Sequence, residues 1–201
     1  MPACLTRRVA IAGTLAYVAR SALASPPDWG ARLVAAARTQ LGVTTVYDPA
    51  YARIAYPGGD IARERGVCTD VVVRAYRDAF QVDLQKLVHE DMLGHFEAYP
   101  RRYGLTAPNS NIDHRRVPNL QVFFRRHGAA IDVSAEAAAH DEGDLVTLRL
   151  PGNLDHIMIV TRAEGGQRPL VIHNIGGGAQ LEDRLFEFPH TGHFRFAPPA
   201  A

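Results

Sequence analysis

The sequence predicts an α+β fold in which helices pack on a central antiparallel sheet of about five strands. Two observations indicate this class. Apolar residues recur at helical spacing up to about residue 127, and short apolar runs of strand length follow from residue 144 onward. The chain has 201 residues, of which 47% are hydrophobic, and it shows no internal repeat, so we expect residues 25–201 to form one domain.

Four helices are predicted, over residues 29–41, 68–80, 83–96 and 119–127. Asp28 is the expected N-cap of the first, and Gly42 is its stop signal. Asp83 is the expected N-cap of the third. Pro118 lies in the first turn of the fourth, where a proline is favoured, and Gly128 ends it. Two long loops separate these helices, at 43–66 and 99–117.

Five strands are predicted after the helices, at 144–148, 156–160, 170–173, 185–188 and 193–196. The run from His156 to Val160 is almost continuously apolar, which is typical of a central strand covered on both faces. Gly176, Gly177 and Gly178 stop the strand that precedes them. Because the strands follow one another instead of alternating with helices, the sheet is expected to be antiparallel.

The first 24 residues have the layout of a secretory signal peptide. Two arginines form a cationic start, an apolar run spans Val9 to Val18, and Ala22-Leu23-Ala24 provides the small residues of a cleavage site. The apolar run is too short to anchor the chain across a bilayer. We therefore expect residues 1–24 to be removed and the mature protein to reside in the periplasm, by either the general or the twin-arginine route.

The composition of the mature chain excludes some classes of partner. Cleavage leaves 19 basic and 21 acidic residues, a formal charge of −2, so there is no broad basic field for nucleic acid. No second apolar stretch is long enough to cross a bilayer, so no membrane contact is expected after cleavage. The oligomeric state has no signature in the sequence.

Cys68 is the one cysteine that remains after cleavage, because Cys4 lies in the signal peptide. A lone thiol in an oxidising compartment is a liability unless it is buried or used. Cys68 begins a predicted helix, whose N-terminal N–H groups favour the thiolate and can also bind an oxyanion. These features favour a nucleophile over a buried structural cysteine.

Two histidines are candidates to act with Cys68. His156 opens a buried strand, and His173 ends the next strand, 17 residues later. If these strands are neighbours, His173 can hold the ring of His156 in the tautomer that accepts the thiol proton. Either histidine alone would more often be structural. The pair together with a helix-start cysteine predicts a catalytic triad.

Four stretches of the sequence, taken in order, resemble NlpC-type, papain-like cysteine peptidases. They are Gly66 to Val72, Gly143 to Val146, Asp155 to Val160 and Val171 to Asn174. More closely, the chain resembles a bacterial exported family of unknown function typified by YijF, over about residues 30 to 196. The stretches that carry this resemblance are Tyr56 to Asp60, Gly66 to Asp70, Leu84 to Met92, Asn111 to Leu120 and His173 to Gly176.

The NlpC-type resemblance implies a papain-like fold with Cys68 as nucleophile, His156 as base and His173 as orienting residue. It also implies cleavage of peptide bonds in the stem peptides of peptidoglycan, which a periplasmic protein would meet. Tyr56 has the spacing at which many of these enzymes carry a tyrosine that assists the oxyanion. Asp70 departs from the pattern, because glycine is frequent there, and it is either a helix cap or a substrate contact.

The charged loop His114-Arg115-Arg116 is a further candidate part of the site. Arginine binds carboxylates bidentately, so this loop either binds carboxylates of a substrate or is a solvated turn. A metal-dependent alternative rests on the cluster His89, Asp91 and His95. Its spacing does not match a His-Glu-x-x-His motif, so no metal and no cofactor is predicted.

These observations predict a thiol hydrolase, an amidase or endopeptidase, that forms a thioester at Cys68 and releases it with water. Two alternatives stay open. Acyl transfer to an amine would use the same residues. A non-catalytic domain that binds cell wall or protein would use the same scaffold, but it would have no need for all three triad residues.

Overall fold

The helices precede most of the strands in the computed structural model, which describes residues 28–198 except 164, 165 and 167. The helices within those residues are α1 (Trp29–Arg38), α2 (Cys68–Phe80), α3 (Leu84–Gly94) and α4 (Val117–Arg126). The strands are β1 (Val46–Tyr47), β2 (Arg65–Gly66), β3 (Ala130–Ile131), β4 (Leu145–Leu150), β5 (Leu154–Arg162), β6 (Pro169–Asn174), β7 (Ala179–Glu182) and β8 (His190–Phe194). The predicted succession of helices and then strands is confirmed.

The helix boundaries follow local capping signals. α2 begins at Cys68, as predicted. The carboxylate of Asp83 accepts a hydrogen bond from the backbone N–H of Gln85 and so caps α3, also as predicted. α1 ends at Arg38, earlier than predicted. There the hydroxyl of Thr39 donates to a backbone carbonyl in the last turn, and the chain tightens into turns.

Six strands form one antiparallel sheet, in the order β3-β8-β4-β5-β6-β7. The prediction of an antiparallel sheet is confirmed, but the strand predicted at 185–188 is wrong. Those residues form a turn. The side chain of Leu185 is buried against the sheet, and its carbonyl accepts a hydrogen bond from the ring of His190 instead of from a neighbouring strand. The outer strands β3 and β7 have no clear sequence pattern, since one is two residues long and the other follows a glycine turn.

The apolar core lies in two layers, one on each face of the sheet. The layer between the helices and the sheet includes Val71, Val72, Ala75, Tyr76, Leu120, Phe124, Ile157, Ile159 and Ile172. The layer on the opposite face consists of Val146, Leu148, Met158, Val160, Val171 and Leu185. Successive residues of β5 thus enter opposite layers, which confirms that its apolar run is a central strand. Burying each such side chain is worth roughly 1.5–3 kcal/mol, so this packing fixes α2 against β5.

The loop between α1 and α2 is anchored by Arg74, a side chain of α2 that is 1% exposed. Its guanidinium forms a bidentate ion pair with Asp60 and donates to the carbonyls of Ile61 and Arg65. A buried guanidinium is tolerated when it is paired and hydrogen-bonded in this way. These bonds fix the course of the chain that leads into Cys68.

The predicted signal peptide, residues 1–24, lies outside the described residues. Across the part of the chain that is described, no helix combines the length and apolar character needed to cross a membrane. The periplasmic address therefore stays a prediction from the sequence.

Candidate active site

Cys68 lies in the first turn of α2 and lines an open cavity. The backbone N–H groups of Cys68 itself, Thr69 and Ile157 lie close enough to its sulfur to favour the thiolate. The first two belong to the helix start, whose N–H groups have no partner within the helix. Because Ile157 directly follows His156, the sulfur lies against the strand that carries the predicted base.

Burial raises the pKa of the Cys68 thiol to about 12, and the nearby carboxylate of Asp70 adds to the increase. The N–H groups of Ile157, Thr69 and Cys68 act in the opposite direction but are outweighed. The N–H groups at the helix start therefore favour the thiolate, as expected, but burial outweighs them and favours the neutral thiol. For a thiol in this state to act as a nucleophile, a base would have to remove its proton.

The two predicted histidines meet across neighbouring strands. β5 pairs with β6, and Nε2 of His156 lies 2.8 Å from Nδ1 of His173. Nε2 of His173 lies 2.8 Å from a carboxylate oxygen of Glu182 on β7. Both rings are buried. The structure thus brings together two imidazoles and one carboxylate, while the β5 residue that lines the cavity beside Cys68 is Asp155, the neighbour of His156.

Burial keeps both imidazoles neutral near pH 7. It lowers the pKa of His156 to about 3, with smaller contributions from His173 and Arg184. It also lowers the pKa of His173, although the carboxylate of Glu182 acts in the opposite direction. A neutral imidazole can accept a proton, so His156 is in the protonation state that a general base requires.

Glu182 is a member of this arrangement that sequence reasoning missed. It lies on β7, whose pairing with β6 places Glu182 opposite Val171. That register puts it diagonal to His173 on the same face of the hairpin. A predicted hairpin of β6 and β7 would have indicated this residue. Gln180 lies opposite His173 in that hairpin, and an acid two residues further along the strand can reach the imidazole ring.

Asp70 and Arg115 form a buried ion pair near Cys68. Nη2 of Arg115 lies 2.9 Å from Oδ2 of Asp70, and the side chains are 3% and 4% exposed. Asp70 also accepts the N–H of Val67 at 2.7 Å, which confirms its capping role. Arg115 donates further to the carbonyls of Asp48 and Ala50. The pair joins the start of α2 to the loop that borders the cavity.

The cavity beside Cys68 has a volume of about 270 Å³. It is lined by Tyr47, Pro49, Val67, Cys68, Ile112, Arg115, Arg116, Val117, Pro118 and Asp155. Its walls therefore combine apolar surface with guanidinium groups, a carboxylate and a phenol. Ile112 and Arg116 also line a neighbouring cavity of about 340 Å³, which Tyr51 and Leu105 border as well. The accessible space thus extends from Cys68 past Arg116.

The chain resembles known proteins over most of its length. A family model described as a domain of unknown function, DUF1287, matches residues 34–196. The chain belongs to the DUF1287 family. Over 163 residues it is 53% identical to the uncharacterized protein YijF of Escherichia coli (strain K12), an alignment that covers 80% of this chain and 78% of that relative. The predicted resemblance to a YijF-like family is confirmed, and Cys68, His156 and His173 all lie within the matched residues.

In this DUF1287 chain the tyrosine beside Cys68 is Tyr47, whereas Tyr56 does not line the cavity. Tyr56 is 41% exposed, with its ring against His89. Burial, followed by the charges of Cys68 and Asp70, raises the pKa of Tyr47 to about 12, so its hydroxyl stays a hydrogen-bond donor at neutral pH. Tyr56 lies away from the cavity and Tyr47 lines it, because β1 pairs with β2 and brings an earlier part of the loop next to Cys68.

His114 and Arg116, also predicted site residues, differ in their access to the DUF1287 cavity. His114 is 2% exposed and does not line it, and burial lowers its pKa to about 4. Arg116 lines both neighbouring cavities and donates to the carbonyl of Arg102. With Arg115 buried in an ion pair, this segment is not the solvated turn that was one of its two interpretations. Arg116 lies where the two cavities meet.

In the alternative metal cluster, Asp91 and His95 contact each other, but His89 does not join them. His89 hydrogen-bonds to Asp113, and Asp91 binds Tyr99 and Arg126. In the residues that the structure describes, no group of three or more His, Cys, Asp or Glu side chains is arranged to hold a metal ion.

Proposed function

We propose that this chain is an exported, NlpC-type papain-like hydrolase that cleaves amide bonds in peptidoglycan stem peptides through a thioester on Cys68. The observation that carries the proposal is the position of the thiol. Its side chain borders a cavity and lies near the N–H of Ile157, the residue after His156, whose ring is bound by His173. A helix-start thiol, a neutral imidazole and a supporting residue are the parts that thiol-dependent acyl transfer needs.

In the first half of the reaction, His156 takes the thiol proton as the sulfur of Cys68 attacks the carbonyl carbon of the scissile amide. The N–H groups at the start of α2 and the hydroxyl of Tyr47 stabilise the oxyanion that forms. Collapse of the intermediate breaks the C–N bond, and His156 gives its proton to the departing amine. The thioester remains on Cys68.

In the second half, a water molecule attacks the thioester carbonyl and His156 takes a proton from it. Collapse now breaks the C–S bond and releases the new carboxylic acid. The thiolate of Cys68 recovers a proton from His156, which restores the neutral pair. His173 supports the same ring in both halves because its contact with His156 does not involve the substrate.

The cavity is suited to a peptide that carries small or apolar groups next to a carboxylate. Pro49, Val117 and Pro118 provide apolar wall, and the guanidinium of Arg116 can bind a carboxylate bidentately. Stem peptides have both features, and the predicted periplasmic address places the protein beside them. The second cavity beyond Arg116 provides room for the rest of an extended substrate.

Two other functions would use the same scaffold. Acyl transfer differs in its second half, where an amine replaces water as the acceptor. A domain that binds cell wall or protein would not need a neutral base beside a buried thiol. The His156–His173 contact therefore favours chemistry over binding.

The test is a digest of purified muropeptides with the mature protein, followed by mass spectrometry. We expect wild type to release two products whose masses add up to the substrate plus one water, and Cys68→Ala and His156→Ala to release none. His95→Ala is a matched control, because His95 is an exposed histidine whose contact is with Asp91, outside the site.

Each alternative has its own signature in that digest. A product joined to an added amine would indicate acyl transfer. Binding without cleavage by wild type and Cys68→Ala alike would indicate a binding domain. Equal product formation by wild type and Cys68→Ala would contradict the assignment of the nucleophile.

A further inference from the structure

A line of hydrogen bonds crosses three adjacent strands and ends at a carboxylate. β5, β6 and β7 are neighbours in the sheet and carry His156, His173 and Glu182 respectively. The two imidazole nitrogens are 2.8 Å apart, and Oε2 of Glu182 is 2.8 Å from Nε2 of His173. The side chain of His173 is fully buried, whereas that of Glu182 is 30% exposed. The carboxylate can therefore be replaced without opening a cavity in the core.

The chemistry of these groups dictates where the protons lie. An ionised carboxylate is solely an acceptor, so Nε2 of His173 must be the protonated nitrogen. A neutral imidazole has one donor and one acceptor, so Nδ1 of His173 accepts from Nε2 of His156. Nδ1 of His156 is then left without a proton. The carboxylate of Glu182, which cannot donate, therefore determines which nitrogen of each imidazole carries the proton.

We propose that Glu182 is a positioning residue, which sets the tautomers of His173 and His156 so that Nδ1 of His156 is the basic nitrogen. The inference rests on the proposed function, in which His156 takes the proton of Cys68. With Glu182 unable to accept, the reverse orientation becomes accessible. In that orientation Nδ1 of His156 carries a proton and cannot act as the base.

The ionic surroundings of Glu182 do not account for its position. Arg184 lies 3.7 Å from Glu182 but makes its bidentate contact with Glu187. The shorter and more directional contact of Glu182 is the one with His173. The charged groups around His173 are therefore Glu182, Arg184 and Glu187, and of these Glu182 binds its ring.

The direct test is the tautomer of each histidine, read by long-range ¹H–¹⁵N correlation NMR on the mature protein. We expect wild type to show protonated Nε2 and unprotonated Nδ1 on both His156 and His173. In Glu182→Gln the amide can donate as well as accept, so a mixture of tautomers should appear. Glu182→Asp keeps the charge and should restore part of the wild-type pattern. Asp183→Asn is the matched control, because Asp183 is an adjacent acid that pairs with Arg168.

Kinetics provide the second readout. Groups that orient a functional histidine are typically worth about 10–100-fold, so Glu182→Gln should lower kcat by that factor with little change in KM. The acid limb of the pH profile should also move, because Glu182 favours the protonated form of His173 and its loss lowers that pKa further. Asp183→Asn should behave as wild type in both measurements.

The outcomes separate this inference from the proposed function. If wild type cleaves no muropeptide, the proposed substrate fails, but the NMR pattern and the rate of iodoacetamide alkylation of Cys68 still test the role of Glu182. If Glu182→Gln keeps the wild-type tautomers and kcat, the inference is wrong even though the enzyme is active. A lower melting temperature with unchanged tautomers would assign Glu182 a structural role and would also overturn it.

Discussion

Removal of the Arg115 side chain should destabilise the fold by about 3–5 kcal/mol, because it leaves the carboxylate of Asp70 buried without a counter-ion. The guanidinium approaches the carboxylate oxygens at 2.9 to 3.3 Å and donates to the carbonyls of Ala50 and Asp48 at 2.9 and 2.8 Å. Hydrogen bonds to charged groups are worth roughly 1.5–3 kcal/mol each, and the burial of both side chains prevents solvent from screening them. Among the described residues, the N–H of Val67 would remain as a partner for the carboxylate.

Urea unfolding of Arg115→Ala, Asp70→Ala and the double variant measures this effect. The double variant should be more stable than the sum of the two losses suggests, with a coupling energy of about 1–3 kcal/mol, because it removes both buried charges. Arg116→Ala is the matched control. Arg116 is the next residue and is partly exposed, so its loss should cost less than about 1 kcal/mol.

A loss below about 1 kcal/mol for Arg115→Ala, or strictly additive effects of the two substitutions, would refute the reasoning, since exposed pairs behave in that way. The same series separates two interpretations of the charged loop. If Arg115→Ala unfolds like wild type but no longer binds a carboxylate-bearing peptide, Arg115 is a substrate contact and not a structural cation.

Three further predictions concern the site. Stability should fall as the pH drops from about 6.5 toward 3, because burial lowers the pKa of His156 to about 3 and that of His114 to about 4, so the unfolded chain binds more protons over this range. Urea midpoints measured against pH should show this decline, with a smaller slope in His114→Gln; a flat profile would contradict it. Tyr47→Phe should reduce kcat by about 100-fold if its hydroxyl binds the oxyanion, and an unchanged kcat in steady-state assays would exclude that role. Asn174→Ala removes the bond of 2.9 Å to the carbonyl of Gly66, so thermal unfolding should show a loss of about 1–3 kcal/mol, and equal stability would mean that water replaces the amide.

The fold could be predicted from the sequence where neighbouring residues decide the structure. The start of α2 at Cys68 and the cap of α3 at Asp83 depend on contacts within a few residues. The central position of β5 follows from its apolar run. The failures lie elsewhere: Leu185 is apolar but buried within a turn, and β7 is a short edge strand whose pairing depends on β6.

The candidate site shows the same difference between residues that local patterns indicate and residues that long-range pairing brings in. Cys68, His156 and His173 could be found because they lie at the ends of predicted elements, and the contact between the two rings follows once β5 and β6 are neighbours. Tyr47 could not be found in this way, because it is farther from Cys68 in the sequence than Tyr56 and reaches the cavity through the pairing of β1 with β2.

From the sequence come the four helices, the central strands, the resemblance to the YijF-like family and the three residues proposed as a triad. The folded chain adds the ion pair of Asp70 with Arg115, the hydrogen bond of Glu182 to His173, and the burial that raises the pKa of the Cys68 thiol. The physical reason is that helix capping and periodicity act over a few residues. Ion pairs, the choice of tautomer and the burial that shifts a pKa depend instead on distances between segments that are remote in the chain.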